Sequence, residues 1–181
     1  MRPNPTRPGD RIESTEAMIR VDQAGEYGAT RIYAGQLAIL GDRHPASRAI
    51  SHMARQEERH RAFFDRMMTE RGIRPTLLQP FWNVAGFALG AVTAAIGPAA
   101  AMACTAAVET EIDKHYQEQL DQLGEDRDPE LSAAIKDFQA EELEHRDHAL
   151  AAGAESAFGY PVLSGLIRLG CKVAIAAAKR I

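Results

Sequence analysis

The distribution of apolar and charged positions divides this chain into four mixed segments and one long segment without charge. Alanine is abundant and runs of β-branched residues are scarce, which favours helices over strands. Glycine and proline residues separate the mixed segments from one another. Because the turns between paired segments are short, the helices should form an antiparallel bundle. We therefore predict an all-α protein with four long helices, over residues 10–40, 45–72, 102–124 and 128–153.

The ends of these predicted helices carry capping signals. Asp10 and Glu13 have the spacing of a capping box at the start of the first helix. Asp128 followed by Pro129 is typical of an N-cap and a first helical residue. A glycine at position 72, in the place typical of a helix C-terminus, follows the second helix. Composition therefore predicts that these segments are helical, and the local capping residues predict where the helices begin and end.

The segment over residues 75–108 contains no charged side chain. A helix of about 20 residues spans a bilayer core of about 30 Å, so the segment is long enough to cross a membrane. Several glycines and Pro98 interrupt it, and much of it is weakly apolar alanine. We predict a buried or membrane-surface helical hairpin, with residues 75–101 as an apolar, membrane-associating insertion. A true membrane span is the alternative.

The C-terminal segment, residues 161–181, combines an apolar face with basic residues. Leucine, isoleucine and valine alternate there with Arg168, Lys172, Lys179 and Arg180. An amphipathic helix of this kind suits the headgroup boundary of an anionic membrane. The alternative is a helix packed on the bundle with a solvated edge.

Length and composition limit the class of protein. The 181 residues, taken as 1–181, fit a single domain. Charged residues make up 25% and apolar residues 45%, values that are ordinary for a globular protein and exclude a largely disordered chain. The net charge of −4 gives no support to nucleic-acid binding, so we expect no nucleic-acid partner. Cys104 and Cys171 are expected to be reduced thiols, since two cysteines cannot form a disulfide framework.

Residues 1–9 contain several prolines and no apolar run. We expect a disordered tail there rather than a signal peptide. This expectation, with the reduced thiols, indicates a cytoplasmic protein.

The sequence Glu57-Glu-Arg-His60 places a carboxylate and an imidazole three residues apart. On a helix this spacing is a rotation of about 60° and a rise of about 4.5 Å, so both side chains reach one point. A single Glu-x-x-His pair is weak evidence, because helices are rich in glutamate. The pair recurs at Glu142 and His145, and an arginine follows each copy.

The two pairs belong to an internal repeat. Glu26 and Tyr33 are spaced like Glu109 and Tyr116, at an offset of 83 residues, and the Glu-x-x-His pairs are offset by 85. Each half therefore carries one glutamate on its first helix and a Glu-x-x-His pair on its second. Small or apolar residues precede both single glutamates, so we expect those carboxylates to face inward.

Inward-facing acids need a counter-charge. Four buried carboxylates would repel one another or become protonated, whereas two divalent cations would balance their charge. Carboxylate and imidazole ligands suit iron or manganese, and the arrangement is that of dinuclear carboxylate bundles. One glutamate from each half should bridge the ions; we favour Glu57 and Glu142, although the spacing leaves this open. We predict a dinuclear metal site with six ligands: Glu26, Glu57, His60, Glu109, Glu142 and His145.

Other polar residues fall near this pattern. Asp22 lies one turn before the first candidate ligand. We expect it either to accept a hydrogen bond from the free N–H of a ligand histidine or to be an exposed aspartate. Tyr33 and Tyr116 lie on the site-facing stripe, where we favour packing with a hydroxyl hydrogen bond over a redox role. His115 and His148 fall outside the repeat and are expected at the surface or around the site.

Five sequence blocks resemble those of a known family. They read RVDQAGEYGA from Arg20, IYAGQ from Ile32, GAVTA from Gly90, MACTAAVE from Met102 and EELEH from Glu141. In this order, from residue 14 to the C-terminus, the chain is similar to the demethoxyubiquinone hydroxylases, ferritin-like di-iron monooxygenases of ubiquinone biosynthesis. Gln23 stands where family members carry histidine, but that position is not a metal ligand in the family.

The resemblance implies a fold and a reaction. It implies a ferritin-like antiparallel four-helix bundle built from a duplicated helix pair, with two iron ions per chain. It implies hydroxylation of the demethoxyubiquinol ring, with O2 as cosubstrate and reducing equivalents ultimately from NADH. Two other functions share this ligand set: a membrane-associated di-iron quinol oxidase and a ferritin-type iron oxidase or storage protein.

The resemblance also implies partners and a location. The polyprenyl tail keeps the quinol substrate in lipid, so the protein should be peripheral, on the cytoplasmic face of the inner (cell) membrane. A lipid-binding accessory protein and a ubiquinone-biosynthesis complex are the partners that the resemblance suggests.

Overall fold

The computed structural model describes residues 13–124 and 126–180. These residues form no strand, and short connections join their helices. A one-turn 3-10 helix, Ala154–Ser156, precedes the last of them. The helices are α1 (Thr15–Leu40), α2 (Ser47–Arg71), α3 (Gln79–Ile96), α4 (Pro98–Leu123), α5 (Pro129–Ala151) and α6 (Tyr160–Ala178). The all-α prediction is therefore confirmed for the described chain.

The helix ends follow local capping chemistry. Ser14 caps α1 by accepting a hydrogen bond from the Ala17 amide at 3.2 Å; the predicted start at Asp10 lies outside the described residues. Asp128 caps α5 as predicted, accepting from the Leu131 amide at 3.2 Å. Gly72 ends α2 with a φ of 65°, a left-handed conformation that glycine adopts without strain.

The charge-free segment forms a hairpin of two helices. It contains α3 and the first turns of α4, which begins at Pro98 rather than at the predicted Met102. Proline is favoured in a first helical turn because its missing N–H has no helical partner there. Residues 98–101, predicted as part of the insertion, therefore belong to a bundle helix.

The internal repeat extends from two helices to three. α1 packs on α2 and α4 packs on α5, and the third helix of each half, α3 or α6, packs against the first. Gly90 of α3 lies so close to the Ile32 carbonyl of α1 that a Cβ at this position would overlap the backbone. This close approach explains why glycine occurs in the middle of α3.

Two apolar clusters fill the bundle, one toward each end. The first includes Met18, Phe64, Tyr116, Leu131, Ile135 and Phe138, and the second includes Tyr33, Ile50, Met53, Met102, Ala106 and Ala149. Along each of the four bundle helices, the predicted ligands fall between members of the two clusters. The polar centre of the bundle is therefore enclosed by apolar layers above and below.

Candidate metal centre and apolar cavity

All six predicted ligands are buried in the centre of the bundle. Their exposed fractions do not exceed 4%, although four of them are glutamates and two are histidines. Acidic residues are almost never buried to this degree unless they are paired or bind a cation. Each comes from the bundle helix predicted to carry it: Glu26 from α1, Glu57 and His60 from α2, Glu109 from α4, and Glu142 and His145 from α5.

The donor atoms form two overlapping groups. In each group, one ligand atom from every residue lies within 4.8 Å of the others. One group contains Glu26 and His60, the other contains Glu109 and His145, and both contain Glu57 and Glu142. The two residues that belong to both groups are the ones that the sequence favoured as bridges.

Several atoms of this cluster have no hydrogen-bond partner among the described residues. They are Glu57 Oε1, Glu142 Oε1 and His60 Nδ1. The last two lie 3.0 Å apart, but without the geometry of a hydrogen bond. Unpartnered buried oxygens and nitrogens are destabilising unless a cation accepts their lone pairs. The donor set therefore fits divalent metal ions, with carboxylate and imidazole ligands typical of iron or manganese.

The acidity of these groups points to the same need for positive charge. Burial and the neighbouring carboxylates raise the pKa of Glu57 and Glu109 well above the ordinary value. Burial acts likewise on Glu142, but the adjacent imidazoles of His145 and His60 outweigh it and lower its pKa to about 2. Burial lowers the pKa of His60, yet the neighbouring carboxylates raise it to about 10. A bound cation would place a positive charge beside Glu57 and Glu109 and would favour their ionised forms.

Two buried tyrosines hold the single glutamates of the repeat. Tyr33 donates to Glu109 Oε1 at 2.9 Å, and Tyr116 donates to Glu26. Burial, together with nearby carboxylates, raises the pKa of both phenols, which keeps each hydroxyl protonated. Hydrogen bonds of this kind are the interpretation that the sequence favoured for both residues.

Asp22 is buried, but it does not contact either candidate ligand histidine. It accepts from Gln119 Nε2 at 2.8 Å and lies 3.4 Å from His115 Nε2, within a buried polar group beside α4. Burial raises the pKa of Asp22, although His115 and Gln119 oppose this effect. The alternative of an exposed aspartate is therefore wrong, and its histidine partner is His115. His148 is exposed, as one of its two interpretations predicted.

Two residues around the site were not singled out from the sequence. Gln56 and Glu141 directly precede Glu57 and Glu142, and they contact the outer nitrogens of His145 and His60. Their position one residue before a repeated ligand is the only signal that could have indicated them. A residue beside an inward-facing ligand on a helix can reach the neighbouring helix.

An apolar cavity of about 440 Å³ lies next to the site. Its wall combines residues of α1, α3, α4 and α6, including Trp82, Leu89, Ile112, Leu163 and Ile167. Gly25 and Val108 also line it, and these residues directly precede the ligands Glu26 and Glu109. A space of this size and polarity suits an apolar chain rather than a polar metabolite.

Two helices that line this cavity also expose apolar side chains. On α6, Val162, Leu166, Leu169 and Val173 form one exposed stripe, and on α3 Phe81, Val84, Val92 and Ile96 form another. Among the described residues, α6 alone is long and apolar enough to cross a membrane, and only 11% of its most apolar stretch is buried. Exposed apolar patches of this kind mark interaction surfaces.

Of the four basic residues predicted in the C-terminal segment, Arg180 is exposed, and the other three contact acids of the protein itself. Arg168 bonds the buried Glu111 of α4 at 2.6 Å, and Lys172 lies 3.8 Å from the same carboxylate. Lys179 lies 2.8 Å from Glu13. Arg168 and Lys172 help to attach α6 to the bundle, because a buried carboxylate needs counter-charges. The basic edge that the sequence predicted for anionic lipid stays a prediction.

Both cysteines are free thiols, as predicted. Cys104 is buried in α4 and Cys171 is half-buried in α6, within one apolar cluster. Burial raises the pKa of each thiol to about 12, so both behave as small apolar residues.

Comparison with known proteins extends the resemblance seen in the sequence. The family model described as ubiquinone biosynthesis protein COQ7 matches residues 13–178. A 3-demethoxyubiquinol 3-hydroxylase of Rhodospirillum rubrum is 53% identical over 176 residues, covering 96% of this chain and 82% of that protein. The family indicated by the sequence blocks is therefore confirmed.

Eukaryotic relatives are also similar. The NADPH-dependent 3-demethoxyubiquinone 3-hydroxylase of Bos taurus mitochondria is 50% identical over 172 residues, covering 93% of this chain and 79% of that protein. The mitochondrial 5-demethoxyubiquinone hydroxylase of Saccharomyces cerevisiae is 41% identical over 181 aligned residues, covering 92% and 78%. With a family model that matches nearly all of its length, this chain belongs to the ubiquinone biosynthesis protein COQ7 family.

Proposed function

We propose that this chain is a di-iron monooxygenase that hydroxylates the ring of demethoxyubiquinol with O2 in ubiquinone biosynthesis. The observation that carries the proposal is the pair of buried donor groups that share Glu57 and Glu142. The names of the relatives supply the substrate class, a demethoxylated ubiquinol or ubiquinone. An enzyme that inserts oxygen into a quinol ring needs a redox-active centre, and this donor set suits one.

The proposed ligands divide between two ions. Glu26 and His60 would hold one ion, and Glu109 and His145 would hold the other. Glu57 and Glu142, which belong to both donor groups, would be available to both ions. The charge of two divalent cations would balance the four carboxylates. It would remove the repulsion that, together with burial, raises the pKa of Glu57 and Glu109.

The surrounding residues prepare the site for this chemistry. Iron supplies the activation of O2, which amino-acid side chains cannot perform. Tyr33 and Tyr116 orient the terminal carboxylates by hydrogen bonds. Phe138 stacks on His60 with 4.0 Å between ring centroids, so it limits the motion of that imidazole and excludes water.

The apolar cavity is the proposed site for the polyprenyl part of the substrate. Its apolar wall fits an isoprenoid chain, and Gly25 and Val108 bring the cavity next to the candidate ligands. A quinol ring at the inner end of this cavity would be close to the metal ions, with its tail directed between α3 and α6. The apolar stripes on these helices support peripheral membrane association. We propose the cytoplasmic face of the cell membrane as its location.

Reductant and partners are part of the same proposal. The mammalian relatives are NADPH-dependent by name, whereas the sequence resemblance suggested NADH as the ultimate source of electrons. We propose a nicotinamide nucleotide as this source, and a lipid-binding accessory protein within a ubiquinone-biosynthesis complex as the partner. The names of the relatives support the reductant. A substrate that remains in lipid until its ring reaches the site supports the lipid-binding partner.

Mass spectrometry of the reaction product tests the proposed activity. Iron-loaded protein is incubated with demethoxyubiquinol, a reductant and isotopically labelled O2. We expect a product that contains one additional oxygen atom derived from O2, and metal analysis that finds both iron ions. A quinone product without added oxygen would reject the proposal.

The two alternative functions make different predictions in simple assays. A di-iron quinol oxidase would reduce O2 to water and leave the ring without additional oxygen. A ferritin-type protein should be polar outside and should not sediment with liposomes, and the exposed apolar stripes of α3 and α6 argue against it.

A further inference from the structure

Each candidate ligand histidine turns one ring nitrogen toward the glutamates and the other away from them. Nδ1 of His60 lies 3.0 Å from one oxygen of Glu142, and Nδ1 of His145 lies 3.1 Å from the other. The outer nitrogens contact different groups. Nε2 of His60 lies 3.0 Å from Glu141 Oε2, whereas Nε2 of His145 lies 3.0 Å from Gln56 Oε1. The two imidazoles therefore both turn Nδ1 toward Glu142, and their outer nitrogens contact different groups.

Gln56 connects the two outer contacts into one chain. Its Nε2 donates to Glu141 Oε2 at 2.9 Å. Because a carboxylate only accepts, this bond fixes the orientation of the amide and leaves Oε1 to accept from His145. By the same reasoning, His60 donates its Nε2–H to Glu141. Both histidines therefore carry hydrogen on Nε2 when Nδ1 binds a cation, as a metal ligand must.

The acceptors differ in charge. Glu141 is a carboxylate, held on its other oxygen by Arg59, whereas Gln56 is a neutral amide. An imidazole whose Nε2–H bonds a charged acceptor gives its Nδ1 electron pair to a metal ion more strongly than one whose Nε2–H bonds a neutral acceptor. The two halves of the repeat therefore carry the same ligand types, but the residues that accept from their histidines differ.

We propose that Glu141 and Gln56 are positioning residues that make the two metal sites unequal, so that the ion on His60 is bound more tightly than the ion on His145. The inference rests on the proposed function, because it requires the six buried residues to bind metal. It assigns the inequality to two residues that are not themselves ligands.

Single-site metal affinities test this inference in the full-length chain. After treatment with a chelator, Co²⁺ is titrated without O2 and binding is followed by visible absorption and calorimetry. The H145A background retains the His60 side of the site, and the H60A background retains the His145 side. E141Q keeps an acceptor oxygen but removes the charge. We expect it to weaken Co²⁺ binding by about 10- to 100-fold in the H145A background, with little change in the H60A background.

Two further variants separate charge from structure. E144Q makes the same change at an exposed position of the same helix and should leave both affinities unchanged. The double substitution Q56E/E141Q moves the carboxylate from the His60 side to the His145 side and keeps a donor between the two acceptors. We expect the double variant to bind Co²⁺ more tightly in the H60A background than in the H145A background, the reverse of the wild-type order.

The outcomes distinguish this inference from the proposed function. Equal Co²⁺ affinities for E141Q and wild type in the H145A background overturn it, as does an order of affinities that the double substitution leaves unchanged. If wild type binds ions and either result is found, only this inference fails. A wild-type chain that binds no Co²⁺ overturns the proposed ligand set as well. Circular dichroism checks folding, and if E141Q alone does not fold, the double substitution decides.

Discussion

Tyr33 on α1 donates a hydrogen bond to Glu109 on α4, with 2.9 Å between the phenol oxygen and Oε1. Tyr116 on α4 makes the reciprocal bond to Glu26 on α1. Each tyrosine follows its own glutamate by seven residues, about two helical turns, so both lie on the same helix face. Each half of the repeat therefore positions a carboxylate of the other half, and neither half could form this site alone.

Tyr33→Phe should lower the free energy of unfolding by about 1–3 kcal/mol, because it leaves a buried oxygen of Glu109 without its donor. The ring packing is retained, so we expect iron binding and ring hydroxylation to persist. Urea denaturation and metal analysis check these expectations. Tyr27→Phe, on the same helix and only partly buried, should change little. Complete loss of hydroxylation with fold and metal intact would indicate a redox role for Tyr33.

Glu142→Ala should abolish iron binding and activity, because Glu142 belongs to both donor groups. Glu26→Ala removes a residue of one group only, so this variant should retain about one ion. Metal analysis of the purified variants measures the difference. Glu144→Ala, an exposed change on the same helix, is the control and should retain both ions. Retention of both ions by Glu142→Ala would contradict the ligand assignment.

Metal removal should lower the melting temperature, and the loss should grow as pH rises from about 6 to 8. Burial and neighbouring carboxylates raise the pKa of Glu57 and Glu109, and the carboxylates raise that of His60 to about 10. Over this pH range, the folded metal-free protein therefore binds more protons than the unfolded chain. The free energy of unfolding of the metal-free protein then falls as pH rises. Calorimetry of chelator-treated and iron-loaded protein measures both curves. Identical curves would count against inward-facing ligands.

Asp128→Ala should destabilise the protein by about 0.5–2 kcal/mol, the usual cost of losing an N-cap. Hydrogen bonding to Arg71 lowers the pKa of Asp128 below its ordinary value. A lowered pKa contributes stability above the unfolded value of about 3.9, which is lost as pH falls. The difference between wild type and variant in urea denaturation should therefore shrink in acid. Asp126→Ala, an exposed neighbour, is the control, and an equal effect of both changes would contradict the capping role.

Replacement of Leu166 and Val173 by Gln should weaken sedimentation with anionic vesicles without loss of iron. Their exposed fractions are 63% and 61%, so the change removes apolar surface that could enter the membrane interface. Ile39 and Leu150, exposed apolar residues of α1 and α5, give a matched double substitution that should have little effect. Unchanged vesicle binding of the first variant would show that α6 is not the membrane contact.

Neutralising the basic residues of α6 is expected to have a mixed effect. Arg168 and Lys172 contact Glu111 on α4, and Lys179 contacts Glu13. Their removal should weaken binding to anionic vesicles at low salt and also lower the melting temperature, because α6 loses its attachment to the bundle. An unchanged melting temperature would show that these ion pairs do not hold α6.

The sequence predicted the elements that depend on local chemistry. The cap at Asp128 and the end of α2 at Gly72 follow from neighbouring residues alone. The recurrence of Glu-x-x-His identified the candidate ligands, because a three-residue spacing on a helix brings two side chains to one point wherever the helix packs. The start of α4 was placed too late, since alanine and glycine give little contrast between an insertion and a bundle helix.

The sequence by itself determined the helices, the repeat and the inward-facing acids, since helical period and capping act over a few neighbouring residues. Only the tertiary structure decided which residues meet across helices. It joined Tyr33 to Glu109, Asp22 to His115, and Glu141 to His60, pairs that are between 76 and 93 residues apart. Such contacts depend on how helices are rotated and packed against one another, and no local spacing encodes that rotation.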